Sequence, residues 1–288
     1  MTLISAILGI IADRLLTNLH EYRHYKQFLA WVDAVRARLS GNGWDGIFGL
    51  LVVLAPVWLV TAVLQGWLHD ALFGLIGLLF YIAVFVYCLG PRDLAIDVNT
   101  YCEVADSTDA ELRIRAAGRL LGDEPLADGE VGDRQVARAV LVEANDRLFG
   151  VLFWFVVLGP VGAVMFRSVA VLYQERREAN GYGEAIDILY SILVWIPARL
   201  LALGYALSGH FDAAVEGWRA AHREMPRGIE GSYEVIAMTG EGALGLSAGD
   251  TAVEGFASPV RAAMRLVWRT LTIWLVVLSL LTLAGWSG

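Results

Sequence analysis

Charged residues vanish from this chain in four long runs. None occurs between Gly46 and Leu68, between Ala71 and Pro91, between Leu148 and Phe166, or between Thr270 and Gly288. A helix rises about 1.5 Å per residue and needs roughly 20 apolar residues to cross a hydrocarbon core. Each run reaches that length, so the pattern predicts four spans. A fifth candidate, Ile188 to Leu207, is interrupted only by Pro197 and Arg199. Met1 to Ala12 is apolar but too short to cross alone. It lacks the charged n-region and small-residue cleavage site of a signal peptide, and so reads as an uncleaved helix that dips into the bilayer or packs on the spans. The expected fold class is all-α, a polytopic helical membrane protein with about five transmembrane spans.

Between the runs the period changes to that of half-buried helices. In residues 13–44 apolar positions return every three or four residues, at Leu15, Leu16, Leu19 and Tyr22, then at Phe28, Trp31, Val32, Val35 and Leu39. Six segments follow: N-terminal apolar and amphipathic helices (1–44), a transmembrane hairpin turning near His69 and Asp70 (45–91), and a polar helical insert (92–147). After them come spans three and four (148–207), a second helical insert (208–265) and the final span (266–288). In the first insert the pattern predicts a helix over Val104 to Leu121, a loop from Gly122 to Gly132, and a helix from Asp133, which can cap it. Val136, Val140 and Leu141 face inward on that helix. In the second insert Ser208 to His222 is predicted helical with Phe211, Val215 and Trp218 on one face, whereas Gly228 to Gly249 is only weakly periodic. Gly159 and Pro160 should kink the third span, and Pro197 the fourth.

Composition sharpens this picture. The chain is 57% hydrophobic and only 18% charged, against about 45–50% and about 25% in soluble domains. Its net charge of −8 leaves no basic stripe for phosphates, which excludes nucleic acid as a partner. Cys88 and Cys102 have no histidine near them, and His20 and His24 lack the surroundings of a zinc-protease helix, so no metal site is expected. Lys and Arg number five in residues 13–44, seven in 92–147 and five in 208–265, with none in the 69–70 turn or the C-terminal tail. The positive-inside rule then puts those three segments in the cytoplasm and the C-terminus outside. Residues 167–187 break the alternation, since they carry Arg167, Arg176 and Arg177. Either those arginines pair with Glu175 and Glu178 outside, or spans three and four are partly re-entrant.

Two features carry candidate chemistry. Glu143 and Arg147 stand at i, i+4 with the acid first, the stabilising order on a helix, and Asn145 and Asp146 add polar atoms just before a span. This is either an ordinary ion pair on a solvated helix end or a polar cluster at the cytoplasmic mouth of the bundle. Arg199 lies near the middle of the fifth candidate span, where an unpaired arginine costs about 2.5–3.5 kcal/mol on translocon scales. Either the span is shorter and Arg199 is interfacial, or Arg199 is a buried partner of Glu143 or Asp146, or an anion ligand. There is no phosphate loop, and Ser247 and Ser258 have no histidine placed for a triad. No catalytic residue is assigned.

Larger stretches carry a resemblance. Met1 to Leu3 followed by Ile11 to Leu15, the run from Phe149 to Arg167, Trp195 to Leu200, and Ala206 to Phe211 together resemble the AmpE family. That resemblance covers nearly the whole chain. It implies an inner-membrane regulatory protein linked to β-lactamase induction and peptidoglycan recycling, with no cofactor. Its partners would be the lipid bilayer and either a muropeptide-like ligand or a membrane protein. AmpE proteins are in turn similar to the CobD/CbiB cobalamin synthetases, and the shared pieces are Glu143 with Asn145, Gly159, Gly162, Ala163 and Arg167, and Pro197 to Leu200. That likeness implies a CobD/CbiB-like scaffold, with Arg167 and Arg199 joining the polar candidates. Where the synthetases carry acidic and Asn motifs, this chain has Ala170 to Tyr173, Tyr190, Ser191 and Val194. ATP and Mg²⁺ would be needed only under the alternative reading, a membrane ligase or transferase.

Overall fold

Every regular element among the described residues is a helix. In the computed structural model these residues are 2–15, 25–38, 46–68, 74–90, 93–105, 109–122, 132–175, 181–223, 228–246 and 258–284. His20 and His24, the 69–70 turn, most of the 122–132 loop, Arg176, Arg177, Glu178 and Ser247 lie outside them. The chain divides into two units. The first comprises Met1–Pro91, Gly150–Val194 and Leu278–Gly288, and the second Arg92–Phe149 and Trp195–Val277.

The first unit contains α1 (Thr2–Leu15), α2 (Lys26–Arg38), α3 (Ile47–Leu68), α4 (Leu75–Cys88), and, after the second unit's first stretch, α8 (Gly150–Leu158) and α9 (Pro160–Gln174). Its core is built from Leu50, Val53, Leu54, Phe85, Phe155 and Phe166, none of which is exposed. Phe85 and Phe155 meet with ring centroids 4.7 Å apart. Of the two arrangements expected for it, α1 shows packing on its neighbours. Gly9 lies so near the Phe85 ring that a Cβ there would come within 2.6 Å of it.

One expected span is interrupted where Gly159 and Pro160 predict it, and another is shorter than its uncharged run. The 148–166 run is not one helix, because α8 stops at Leu158 and α9 starts at Pro160, with Gly159 between them at φ +69°. Proline has no N–H to continue the ladder, and the glycine takes a conformation that side chains resist. The backbone groups so released are taken up by Gln65 of α3. Its Nε2 donates to the Leu158 carbonyl at 3.4 Å, and its Oε1 accepts the Val161 N–H at 3.1 Å. An amide in the last turn of an apolar helix thus satisfies a broken backbone, which hydrocarbon would not. The helix α4 has 14 residues, about 21 Å at 1.5 Å per residue, less than the run of uncharged residues suggests. Among the described residues three helices are long and apolar enough to cross a membrane, namely α3, α10 (Gly181–Ser208) and α13 (Pro259–Leu283). The protein is a helical membrane protein, all-α throughout its described residues.

Pro197 does not break α10, which runs unbroken through it. The carbonyl four residues earlier, Leu193 O, receives the Trp154 indole N–H at 3.0 Å instead. In α3 the Trp31 indole donates to Val53 O at 3.3 Å, the carbonyl next to Val52 O, which Pro56 leaves without its helical partner.

The second unit holds α5 (Leu94–Val104), α6 (Ala110–Leu121), α7 (Asp133–Ala144), α11 (Phe211–Arg223) and α12 (Ile229–Ala243), together with the later part of α10 and most of α13. The insert starts its helices differently from the periodic reading. Asp93 caps α5 by accepting Ala95 N–H at 2.9 Å, and Asp109 caps α6 through Glu111 N–H at 3.0 Å. Leu94, Val98 and Tyr101 are buried along α5. Gly132, not Asp133, is the N-cap residue of α7. The Asp133 carboxylate instead accepts the Tyr101 hydroxyl at 2.7 Å and the Ser258 hydroxyl at 3.4 Å. Val136, Val140 and Leu141 are fully buried, as expected. In α11, however, Phe211 is exposed and Ala214 and Ala221 are the buried positions. The Gly- and Ala-rich stretch forms a continuous α12, because its small residues serve packing. A Cβ on Gly217 or Gly242 would strike the backbone of the facing helix at Met238 or Ala213.

Candidate functional site

The helix α7 ends in a π-helical turn, Asn145–Phe149, before the chain enters α8. Such single turns carry one residue too many for the α ladder and recur at functional sites. Here the Asn145 N–H reaches Val142 O, and the Leu141 carbonyl accepts the hydroxyl of the fully buried Tyr205 at 2.9 Å. The extra residue turns Asn145 and Asp146 inward, where they are 0% and 5% exposed.

Arg147 is the hub of the turn. Its Nη1 meets Asp97 Oδ2 at 2.6 Å, its Nε meets Glu143 Oε2 at 2.6 Å, and its Nη2 donates to the Arg119 carbonyl at 2.9 Å. The side chains of Arg147 and Asp97 are 12% and 2% exposed. Burial works against the Arg147 charge, but the Glu143 and Asp97 carboxylates outweigh it and hold its pKa above the ordinary arginine value. The ion pair therefore joins three helices and is not a solvated helix end. Beside it, Asn145 Nδ2 donates to Asp146 Oδ1 at 2.9 Å, and Tyr233 of α12 donates its hydroxyl to Asp146 Oδ2. Asn145 Oδ1 is buried with no hydrogen-bond partner, so an acceptor stays open in the middle of the network.

Arg199 sits elsewhere in the same unit. Its Nη1 donates to Trp195 O at 2.9 Å and to Ser232 Oγ at 3.4 Å, and its guanidinium lies 4.2 Å over the Trp195 ring. Among the described residues no carboxylate pairs with it, so the expected partnership with Glu143 or Asp146 does not form. Glu143 is held by Arg147 and Asp146 by Tyr233. The cause is spacing along α12, where successive residues Ser232 and Tyr233 engage Arg199 and Asp146 separately. Arg167 belongs to the first unit, 3% exposed on α9, with its Nε donating to the Cys88 carbonyl at 2.5 Å. Glu143, Asn145, Asp146 and Arg147 are thus brought together, and Arg199 and Arg167 each have separate surroundings. No three His, Cys, Asp or Glu side chains gather as a metal site among the described residues.

Sequence reasoning missed Asp97, Tyr233 and Tyr205. Asp97 had a signal, being one carboxylate at the spacing of Leu94, Val98 and Tyr101 on a helix. Tyr233 and Tyr205 had none, since their roles depend on which helices meet.

Residues 1–286 match the family described as regulatory signalling modulator protein AmpE. This chain belongs to the AmpE family. It is similar to Protein AmpE of Shigella flexneri, 26% identical over 298 residues that cover 99% of both chains. It is also similar to the cobalamin biosynthesis protein CobD of Stutzerimonas stutzeri, 29% identical over 270 residues (86% of this chain, 85% of the relative). A CobD of Chromobacterium violaceum is 30% identical over 210 residues, 71% of this chain and 64% of the relative. No solved structure matches. The expected relationship of AmpE to the cobalamin proteins is therefore met in the AmpE-family chain itself.

Proposed function

We propose that this AmpE-family protein is a multi-pass regulator of the bacterial inner membrane that links peptidoglycan recycling to β-lactamase induction. It acts by binding a ligand or a membrane partner in its second unit. The observation that supports regulation over synthetase chemistry lies at Tyr173 and Tyr190. These stand where the resembling synthetases carry acidic residues, and here their rings stack with centroids 4.6 Å apart at 29°. Tyr190 and Val194 are fully buried, and the Ser191 hydroxyl donates to Ile188 O of its own helix at 2.8 Å. Two stacked phenols and a valine do not fit Mg²⁺ and nucleotide phosphates, which require several charged oxygens.

In this reading Arg199, backed by Trp195 and without a carboxylate partner among the described residues, receives a carboxylate of a muropeptide-like ligand. The open acceptor at Asn145 and the carboxylates around it receive hydrogen-bond donors. The inserts 92–147 and 208–265 face the cytoplasm and the C-terminus the periplasm, in line with their arginine content. Purified protein should bind a muropeptide more weakly after Arg199→Gln and show no saturable binding of ATP with Mg²⁺. Tight ATP binding, or rescue of a CobD-deficient strain, would overturn the reading. Either result would favour the second one, a membrane ligase or transferase, which the two CobD relatives and the Glu143–Asn145 step suggest.

A further inference from the structure

In the second unit one face of α10 is both apolar and exposed. Ile196, Leu200, Leu203 and Leu207 are 41%, 40%, 48% and 58% exposed, and steps of four, three and four residues keep them on one side of a helix. In a helix long and apolar enough to cross a membrane, such a face is turned to hydrocarbon. Arg199 stands at the edge of this face, three residues after Ile196 and four before Leu203. Its contact with Ser232 Oγ marks that edge as the one that meets α12.

The guanidinium does not escape toward the nearer end of the helix. Arg199 lies nine residues before Ser208, about 13 Å at 1.5 Å per residue, and its head turns the other way, onto the Trp195 carbonyl and ring. Exposed apolar side chains therefore flank the cation, with Trp195 and Ile196 before it and Leu200, Leu203 and Leu207 after it. Its bonding is half finished. Nη1 serves Trp195 O and Ser232 Oγ, both neutral acceptors. Nε and Nη2, the pair that grips a carboxylate or phosphate side-on, donate to nothing among the described residues. A charge beside hydrocarbon calls for a counter-charge. An anion that arrives along an apolar face needs a chain that the face can hold.

On the reading that Arg199 anchors the ligand's anionic group, on which this inference rests, we propose that the ligand is an anionic amphiphile drawn from the bilayer. Its head group meets Nε and Nη2 beside Trp195 and Ser232, and its hydrocarbon chain lies along Ile196, Leu200, Leu203 and Leu207.

The test uses the full chain in a neutral detergent, with retained probes counted by native mass spectrometry. Oleate has charge and chain, monoolein the chain alone, and acetate the charge alone. Oleate should be retained about tenfold or more over monoolein, the worth of charge-assisted hydrogen bonds, and R199Q should erase that preference. L203Q should weaken both chain-bearing probes about fourfold or more and leave the preference intact. L280Q, at a residue 61% exposed on α13, should change neither. Each buried methylene is worth about fourfold in affinity, so acetate in about hundredfold excess should not displace oleate. Displacement by acetate, or undiminished retention by a folded L203Q, overturns entry from the bilayer and leaves Arg199 as an anion site. Equal retention of oleate and monoolein by the unaltered protein overturns the amphiphile, as does a preference that survives in a folded R199Q. Muropeptide binding measured in parallel separates the two failures: if R199Q weakens it, only the amphiphile falls, and if R199Q leaves it unchanged, the Arg199 reading falls as well.

Discussion

Replacing Arg147 by methionine should be the most damaging single change in the second unit. Methionine keeps the length and apolar volume of the arginine stem and removes the guanidinium. Asp97, 2% exposed, would then keep a buried carboxylate with this cation gone. Glu143 would lose its partner at 2.6 Å and the Arg119 carbonyl its donor at 2.9 Å. Removing one member of a buried pair costs about 3–5 kcal/mol, because the other charge stays behind. At about 2–4 °C per kcal/mol for a chain of this size, the melting midpoint in detergent should fall by about 6–20 °C. Arg115→Met, in an i, i+4 pair whose side chains are 68% and 74% exposed, is the control and should cost less than about 1 kcal/mol. The double variant Arg147→Met with Asp97→Leu should recover part of the loss, since it removes the stranded charge. If the double variant loses the sum of the two single effects, Asp97 and Arg147 are not energetically coupled and the hub does not exist.

Three further outcomes follow from other parts of the molecule. Arg199→Ala and Glu143→Ala should be additive in a melting assay, because the two side chains have different partners; a protective double variant would restore a direct Arg199–Glu143 pair. Gln65→Leu should destabilise by about 1–3 kcal/mol through two stranded backbone groups at Leu158 and Val161, and a neutral result would show that this amide does not sustain the break. Burial and the bond to Asp133 raise the Tyr101 pKa above its ordinary 10. The stability it lends is therefore complete below about pH 10 and is lost as pH rises further, while the unfolded phenol ionises first. Tyr101→Phe should be less stable than the parent at pH 8 and lose less on going to pH 11, and parallel loss in both proteins would refute the assignment.

The uncharged runs determined by themselves that this is a helical membrane protein, because no other use of some twenty apolar residues in a row is stable in a lipid–water system. The Glu143–Arg147 pair was legible for a similar reason, since its spacing of four is a property of one helix. What sustains a break in a span was not legible. Gly159 and Pro160 mark where the third run is interrupted, but the two hydrogen bonds that sustain the break come from Gln65, distant in sequence. Pro197 looks like a break, yet the Trp154 indole takes the carbonyl it frees. The polar site shows the same division. Asp97 and Tyr233 could join Arg147 and Asp146 only once α5, α7 and α12 were brought side by side, and Arg199 was drawn to Ser232 instead of Glu143. Local periodicity records what one helix must bury. Which buried donor meets which acceptor is chosen by the packing of separate helices, and that depends on shape along the whole chain.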